Sequence, residues 1–264
     1  MPPGCGRVRI LRHRWLRTLI AGLILLYFTE RVLVATGNPN FVPSVILLGA
    51  FLVPVVFVTY LYERLPDWEV PIGPLATCFL WGGAVGTLVA GTLEYDLLRS
   101  LGVFALVGVG FIEESAKLIF PLIFFFAGRY RSEASGILLG VASAMGFAAL
   151  ETMGYAFVTL LQSKGSLGAL DEVLLIRGLM SPAGHAAWTG LVCAILWRER
   201  LKAGHAVLNL RVVMAFLTAM ILHALWDTFN SLQGVIALLS LGVALISLIF
   251  LIRRVREADR ALRA

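Results

Sequence analysis

Two glutamates and a lysine stand together in an otherwise uncharged apolar segment. Glu113, Glu114 and Lys117 are the only charged residues of the stretch 101–128. In a membrane span a charged side chain costs about 2.5–3.5 kcal/mol on insertion scales, so ionisable residues at that depth indicate function. On a helix Lys117 can reach either carboxylate, because it follows them by four and three residues. The two glutamates point about 100° apart, so one can face a cavity while the other pairs with the lysine.

A third carboxylate occurs in the next apolar segment. Phe147, Glu151 and Tyr155 follow one another at intervals of four residues. On a helix this spacing places the carboxylate between two aromatic rings on one face. The pattern indicates a polar group that faces the interior of a bundle.

Two histidines occupy the segments that follow. His185 comes shortly after Pro182, and an interrupted helix is tolerated at membrane depth where it lines a cavity. His223 precedes Asp227 by four residues, a spacing that lets the carboxylate orient the imidazole ring and select its tautomer.

Together these side chains could support acid–base or metal chemistry. A cluster of carboxylates cannot stay fully ionised at low dielectric, so protons or a metal cation must offset its charge. A carboxylate in such a place suits general acid–base catalysis. Two histidines with glutamates can also bind a divalent metal, including zinc with an open position for water. The acids are Glu113, Glu114, Glu151 and Asp227, and the nearby cations are Lys117 and Arg177.

The same residues also allow structural interpretations. Glu113 and Lys117 could form a structural ion pair, and His185 could be a hydrogen-bonded packing residue. There is no His-Glu-x-x-His motif, so metal ligands would have to come from three or four helices. Ser115 has no base facing it, since adjacent residues on a helix do not face each other. We therefore expect activated water, rather than a side chain, as a nucleophile.

The surrounding sequence predicts an all-α fold, a polytopic transmembrane helix bundle of about eight spans. Hydrophobic residues make up 59% of the 264 residues, charged residues make up 14%, and the mean hydropathy is +0.88. We expect a single integral-membrane domain, 1–264, in which four helices within 101–230 carry the polar residues. With about 20 apolar residues needed for each crossing, the predicted spans are 16–36, 42–62, 75–93, 101–127, 134–161, 174–197, 207–230 and 234–252.

The basic residues predict orientation rather than a nucleic-acid partner. The net charge is +6, and the basic residues concentrate in the tails 1–15 and 253–264 and in the loops 129–131 and 198–202. With eight spans all four segments lie on one side, and the positive-inside rule makes both termini cytoplasmic. The expected partner is the lipid bilayer of the cell membrane, and no nucleic acid. The opposite loops contain only Arg31, Arg99 and Lys164.

Three further features concern the first half of the chain. The first span, 16–36, has the basic flank of a signal peptide, but its retention keeps both basic tails on one side. The proline-rich stretch 62–74 predicts a non-helical interfacial loop. Gly82 and Gly86 are four residues apart, a spacing that allows two helices to approach closely.

The polar residues also lie at similar depths in their predicted spans. At 1.5 Å per residue, Glu113 is about 18 Å from the outer end of its helix. Glu151 and His185 are about 15–17 Å in, and His223 is about 10 Å in. Scattered structural residues would share a level only by chance, so this agreement favours one functional site.

The ordered set of motifs resembles the PrsW family of intramembrane proteases. The motifs are Glu113-Glu114-x-x-Lys117, Phe147-x-x-x-Glu151, His185 and His223-x-x-x-Asp227, on successive helices within 101–230. That family is distantly similar to the CAAX prenyl endopeptidases and bacteriocin-processing proteases. The resemblance implies a multi-pass peptidase, with residues 101–230 as its catalytic core. Its implied substrates are membrane-anchored proteins such as anti-sigma factors.

The resemblance also implies roles for individual residues. Either Glu113 or Glu114 would activate water. The water or metal site would be completed by Glu151, His185 and His223, which would hold zinc or another divalent metal if one is used. Thr152 stands where many relatives have asparagine, and no role is assigned to it. The supporting residues would be Lys117, Phe147, Tyr155 and Asp227.

Two other classes of function remain open from the sequence. A proton-coupled transporter or channel also needs carboxylates and histidines inside a bundle. Transporters often have pseudo-symmetric halves, whereas here the polar residues crowd into spans four to seven, which favours an enzyme. A non-catalytic membrane scaffold would tolerate neutral substitution of the same residues.

Overall fold

The computed structural model describes residues 13–65, 70–101, 104–232 and 234–263, with side chains omitted at 97–101, 234 and 235. Within these ranges the chain is helical and contains no strand, which confirms the predicted all-α fold. The helices are α1 (Arg14–Thr36), α2 (Val42–Arg64), α3 (Ile72–Thr77), α4 (Gly83–Leu101), α5 (Ala105–Phe126), α6 (Glu133–Gln162), α7 (Leu167–Met180), α8 (Ala187–Ala203), α9 (Leu210–Ser231) and α10 (Leu239–Arg263).

Seven helical segments of the described chain are long and apolar enough to cross a membrane. Helix α5 has 22 residues and corresponds to the predicted span 101–127. It falls outside these seven because it carries three charged residues. Those charges are buried, since Glu113, Glu114 and Lys117 are 6%, 0% and 0% exposed. The protein is thus a polytopic helix bundle in which the three charged side chains of α5 lie inside.

Helix α6 forms the centre of the bundle, with α2, α4, α5 and α8 packed around it. Residues 134–149, about four and a half turns, are all buried, as expected for a helix with apolar or small residues on every face. Gly146 lies against the backbone of Phe79, so that a Cβ there would meet the Phe79 carbonyl oxygen. Gly82 likewise packs on Ser143, and this confirms the predicted close helix approach.

Helices α7 and α8 form one continuous stretch that is longer than the predicted span 174–197. The segment Leu167–Ala203 has 37 residues. It contains a π-helical turn at Pro182–Ala186, where the Ala186 N–H donates to the Ser181 carbonyl at 3.2 Å. The expected interruption at Pro182 is therefore a bulge, and the chain continues as helix on both sides of it.

The stretch 62–74 is only partly the loop that was expected. Helix α2 continues to Arg64, and helix α3 begins at Ile72. Residues 66–69, which include Pro66 and Glu69, lie outside the described residues. The prediction therefore placed the end of α2 too early, because Glu63 and Arg64 can extend a helix beyond the apolar region.

The basic segments meet at one end of the bundle. Arg200 donates to the carbonyls of Phe125 and Tyr130, each at 2.7 Å, and so fixes the loop between α5 and α6. Arg254 of α10 donates its Nε to Glu133 at 2.9 Å. At the same end the Arg14 backbone N–H donates to Glu63 at 2.8 Å. Residues 1–12 of the basic N-terminal tail, and the side chain of Arg99, lie outside the described residues.

Candidate active site

The predicted ion pairs of α5 are present. Nζ of Lys117 donates to Glu114 Oε1 at 2.8 Å and to Glu113 Oε2 at 3.0 Å. The same ammonium lies 4.5 Å from the centre of the Phe147 ring, which supplies a further cation–π contact. Ser143 of α6 donates to the Lys117 carbonyl at 2.6 Å and ties the two helices together. The buried lysine therefore balances two carboxylates at once.

Glu114 is fully enclosed and its carboxylate is held from several directions. Thr189 of α8 donates to Oε2 at 2.8 Å, and Nδ1 of His223 lies 3.0 Å from Oε1. With Lys117 on Oε1 as well, the carboxylate binds groups from α5, α8 and α9. A charge buried this deeply is tolerable only when it is paired and hydrogen-bonded.

Glu113 faces the other acidic and imidazole groups. Ligand atoms of Glu113, Glu151 and His185 all lie within 4.8 Å of one another. Oε2 of Glu113 is also 3.6 Å from Nε2 of His223. The two adjacent glutamates of α5 thus have different surroundings, as their angular separation on the helix predicts.

Glu151 of α6 is held by a cation from α7. Its Oε2 lies 2.8 Å from Nη2 of Arg177 and 3.3 Å from Nε2 of His185. Arg177 donates its Nε to Thr152 Oγ1 at 3.3 Å, and its guanidinium lies 3.9 Å from the Tyr155 ring centre. Tyr155 and Thr152 therefore position Arg177, which in turn positions the carboxylate.

The two histidine rings lie close together beside Trp188. Their centroids are 5.8 Å apart, and Trp188 stacks on His223 at 4.4 Å with an interplanar angle of 23°. Asp227 Oδ2 lies 3.5 Å from Nε2 of His223, as its spacing predicts. Trp188 is itself fixed, since its indole N–H donates to Ser247 of α10 at 2.9 Å.

The group best arranged for a metal differs from the predicted ligand set in one residue. The sequence suggested Glu151, His185 and His223, whereas the compact group in the described chain contains Glu113 in place of His223. His223 is engaged at Nδ1 by Glu114 and lies at the edge of this group. Two carboxylates and an imidazole form a donor set that suits zinc and other divalent transition metals.

An orphaned nitrogen supports the fit of a ligand at this place. Nδ1 of His185 is buried and has no hydrogen-bond partner in the described part of the chain. A buried polar atom without a partner lowers folding stability. It is therefore more readily explained in a side chain that binds a ligand or a proton than in a purely structural one. The donor set and this nitrogen together are compatible with a metal.

Several residues of this site were missed from the sequence. Thr189, Trp188 and Ser247 gave no charge signal, although Thr189 follows His185 by four residues and so shares its helix face. Glu94 lies one residue beyond the predicted end of span 75–93, so it was placed in a loop. It lies in α4 and is near enough to interact electrostatically with Glu113 and Glu151.

Comparison with known families covers most of the chain. Residues 70–253 match the family model described as PrsW family intramembrane metalloprotease. Comparisons with curated proteins and with solved structures give no match. The matched range contains every residue of the site described above and extends well beyond the predicted 101–230. By this match and by its buried site, the chain belongs to the PrsW family of intramembrane metalloproteases.

Proposed function

We propose that this membrane peptidase hydrolyses a peptide bond of membrane-anchored protein substrates at the group formed by Glu113, Glu151 and His185. The observation that carries the proposal is the meeting of these three side chains, from three helical segments, within 4.8 Å. Scattered structural polar groups would not require such convergence. The family match favours a peptidase over a proton-coupled transporter or a channel.

The metal proposed for this group is zinc. Glu113, Glu151 and His185 would hold it, and Arg177 and Lys117 would orient the two carboxylates from behind. Bound zinc would supply Lewis-acid activation of water and of the scissile carbonyl. Outer partners of this kind orient the metal ligands, and their loss typically weakens metal binding.

We assign the water-activating role to Glu113 rather than to Glu114. The carboxylate of Glu114 is occupied by Lys117, Thr189 and His223, so it positions other groups. Glu113 lies with Glu151 and His185, and Lys117 binds its Oε2, so its other carboxylate oxygen can accept a water proton. Water then attacks the carbonyl carbon of the scissile bond.

His223 is assigned the delivery of a proton to the leaving amine. Its Nδ1–H donates to Glu114, while Nε2 faces Glu113 and Asp227 at 3.6 and 3.5 Å. A ring held in this way can receive the water proton from Glu113 and pass it to nitrogen as the carbon–nitrogen bond breaks. Stacking on Trp188 keeps the ring plane in position.

The position of the site supports the proposed substrate class. Its residues lie on helices that cross the membrane, so the scissile bond must reach them within or next to the bilayer. A helical segment hides its carbonyls in hydrogen bonds, and therefore the substrate must unwind locally. Membrane-anchored regulators such as anti-sigma-factor-like proteins are the proposed substrates. The cell membrane, with both termini in the cytoplasm, is the proposed location.

Processing of anchored candidate substrates by reconstituted protein tests the proposal. Glu113→Gln should abolish processing, and Glu172→Gln should not, because Glu172 is an exposed carboxylate on α7. A chelator should stop the wild-type reaction and zinc should restore it. Normal processing by Glu113→Gln would remove the assignment, and activity that survives metal removal would favour a mechanism based on glutamate and histidine alone.

A further inference from the structure

A groove with a basic mouth runs between α8, α9 and α10, at the end of the bundle where the basic segments meet. Its cavity volume is about 590 Å³. Three cations, Arg198, Lys202 and Arg211, line its mouth together with Glu199. The residues deeper in the groove are mostly apolar and include Leu191, Ile195, Met214 and Phe250.

We propose that this basic groove binds one anionic phospholipid, with the phosphate at Arg198, Lys202 and Arg211 and an acyl chain along the apolar wall. The proposal is independent of the peptidase site. A lipid fits this groove because the groove has charged side chains at one end only and apolar side chains along the rest.

The order of charged and apolar side chains along the helices matches the headgroup and acyl chain of a lipid molecule. Arg198 lies at the end of α8 and Arg211 at the start of α9, where these helices leave the hydrocarbon region. Leu191 and Thr218 line the groove seven residues farther along the same helices, about 10 Å deeper into the membrane. A headgroup at the first level therefore places its acyl chain beside the second.

Two of the three cations at the mouth pair with one carboxylate, and all three remain accessible. Oε1 of Glu199 lies 2.8 Å from Lys202 Nζ, and Oε2 lies 3.3 Å from Arg211 Nη1. The side chains of Lys202 and Arg211 are still 47% and 70% exposed. Arg198 is 37% exposed and lies 3.8 Å from Glu257.

The charge at this mouth therefore favours an anion. Three cations and one carboxylate line the groove. Glu257 lies 3.8 Å from Arg198 and pairs more closely with Arg254, at 2.8 Å. Arginine can bind a phosphate through two parallel hydrogen bonds, and lysine adds a point charge. Basic pockets between transmembrane helices are known to bind anionic headgroups. A zwitterionic lipid fits less well, because its ammonium group would lie among these cations.

Native mass spectrometry of the full chain in neutral detergent tests this inference with phosphatidylglycerol as the probe. The wild type should retain one phosphatidylglycerol in preference to phosphatidylcholine, and should gain thermal stability from the first lipid only. A variant with Arg198→Gln, Lys202→Gln and Arg211→Gln should bind phosphatidylglycerol roughly tenfold to 100-fold more weakly.

A second triple variant is the matched control. Arg253→Gln, Arg256→Gln and Arg260→Gln remove the same charge from exposed positions of α10, so they should leave retention unchanged. Met214→Trp should reduce lipid retention without altering charge, because it fills the apolar wall. The single change Arg211→Gln, at a largely exposed side chain, tests the mouth if the triple variant fails to fold.

Three results would overturn the inference. Equal retention of phosphatidylglycerol by the wild type and by both the triple variant and Arg211→Gln would show that the mouth does not bind the headgroup. Equal stabilisation by phosphatidylcholine would show a groove for acyl chains alone. Stabilisation by inorganic phosphate alone would show a site for free anions instead of a lipid.

Discussion

The indole ring of Trp188 stacks on the imidazole of His223 at 4.4 Å, and the indole N–H donates to Ser247 of the neighbouring helix α10. Ser247→Ala would leave the indole N–H buried without a partner, which costs about 1–3 kcal/mol. For Ser247→Ala we expect a lower Tm and a modest fall in the rate of processing.

Trp188→Phe should lower activity more than stability. It keeps a buried aromatic ring, but the smaller ring covers less of the His223 imidazole. Equal activity of Trp188→Phe and wild type would contradict a positioning role for Trp188.

The buried triad of Lys117, Glu113 and Glu114 predicts a large loss of folding stability when the lysine alone is removed. Lys117→Met would leave two buried carboxylates without the ammonium that both bind, and loss of one partner of a buried pair costs about 3–5 kcal/mol. We expect a large drop in folded yield and in Tm, measured after purification in detergent. Lys164→Met is the control, because Lys164 lies in the loop between α6 and α7. Wild-type stability of Lys117→Met would show that the lysine is dispensable.

Arg177 should govern metal affinity without being a ligand. It contacts Glu151 at 2.8 Å and is held by Thr152 and Tyr155. Loss of such an outer partner typically weakens metal binding by about 10–100-fold. Competitive zinc titration of Arg177→Gln should show this decrease, with Arg31→Gln as a control outside the site. Unaltered zinc affinity in Arg177→Gln would mean that Glu151 is oriented by other groups.

Glu94 is expected to contribute to substrate binding. Its Oε1 is buried and has no hydrogen-bond partner among the described residues, and it follows Ala90 by one turn on the buried face of α4. An unwound substrate brings backbone N–H groups into the membrane, and a free carboxylate oxygen can accept one of them. Glu94→Ala should raise KM more than it lowers kcat, and Glu94→Gln should restore much of the loss. The exposed Asp96 provides the control, and an unchanged KM for Glu94→Ala would exclude this role.

Two glycines of α6 make a matched pair for stability. A Cβ at Gly146 would collide with the Phe79 backbone, whereas a Cβ at Gly154 has nothing within 4 Å. Gly146→Ala should therefore lower Tm strongly, while Gly154→Ala should leave it unchanged or raise it through a helix-propensity gain of up to about 1 kcal/mol. Similar Tm values for the two variants would show that α6 and the π-helical turn Cys78–Gly82, which contains Phe79, separate easily.

Much of the fold and of this site could be predicted because the signals were local. Glu113, Glu114 and Lys117 are neighbours on one helix, and their pairing follows from spacing alone. Glu151, His185 and His223 stand out as polar residues inside apolar segments at similar depths, and the family resemblance supports grouping them. The apolar segments predicted the helices, but several helices run past the predicted ends, the last of them by eleven residues, from 252 to Arg263. Charged residues such as Glu63, Glu94 and Arg253 continue the helix there.

The division of labour within the site could not be predicted, since it depends on contacts between distant helices. Glu114 is enclosed because Thr189 and His223 reach it from α8 and α9. Glu113, rather than His223, lies close to Glu151 and His185 for the same reason. Neither Thr189 nor Ser247 carries a charge that would mark it as part of a site in an apolar sequence.

The π-helical turn at Pro182–Ala186 has a consequence for angular alignment. In a regular α-helix, the eight residues from Arg177 to His185 would turn the two side chains about 80° away from each other. The turn absorbs roughly one residue, which reduces the difference to about 20°. Both side chains thereby contact the same carboxylate oxygen of Glu151 from a single continuous rod. The π-helical turn thus brings Arg177 and His185 onto one face of the same helical segment. One segment can therefore supply both the cation and the imidazole that contact Glu151.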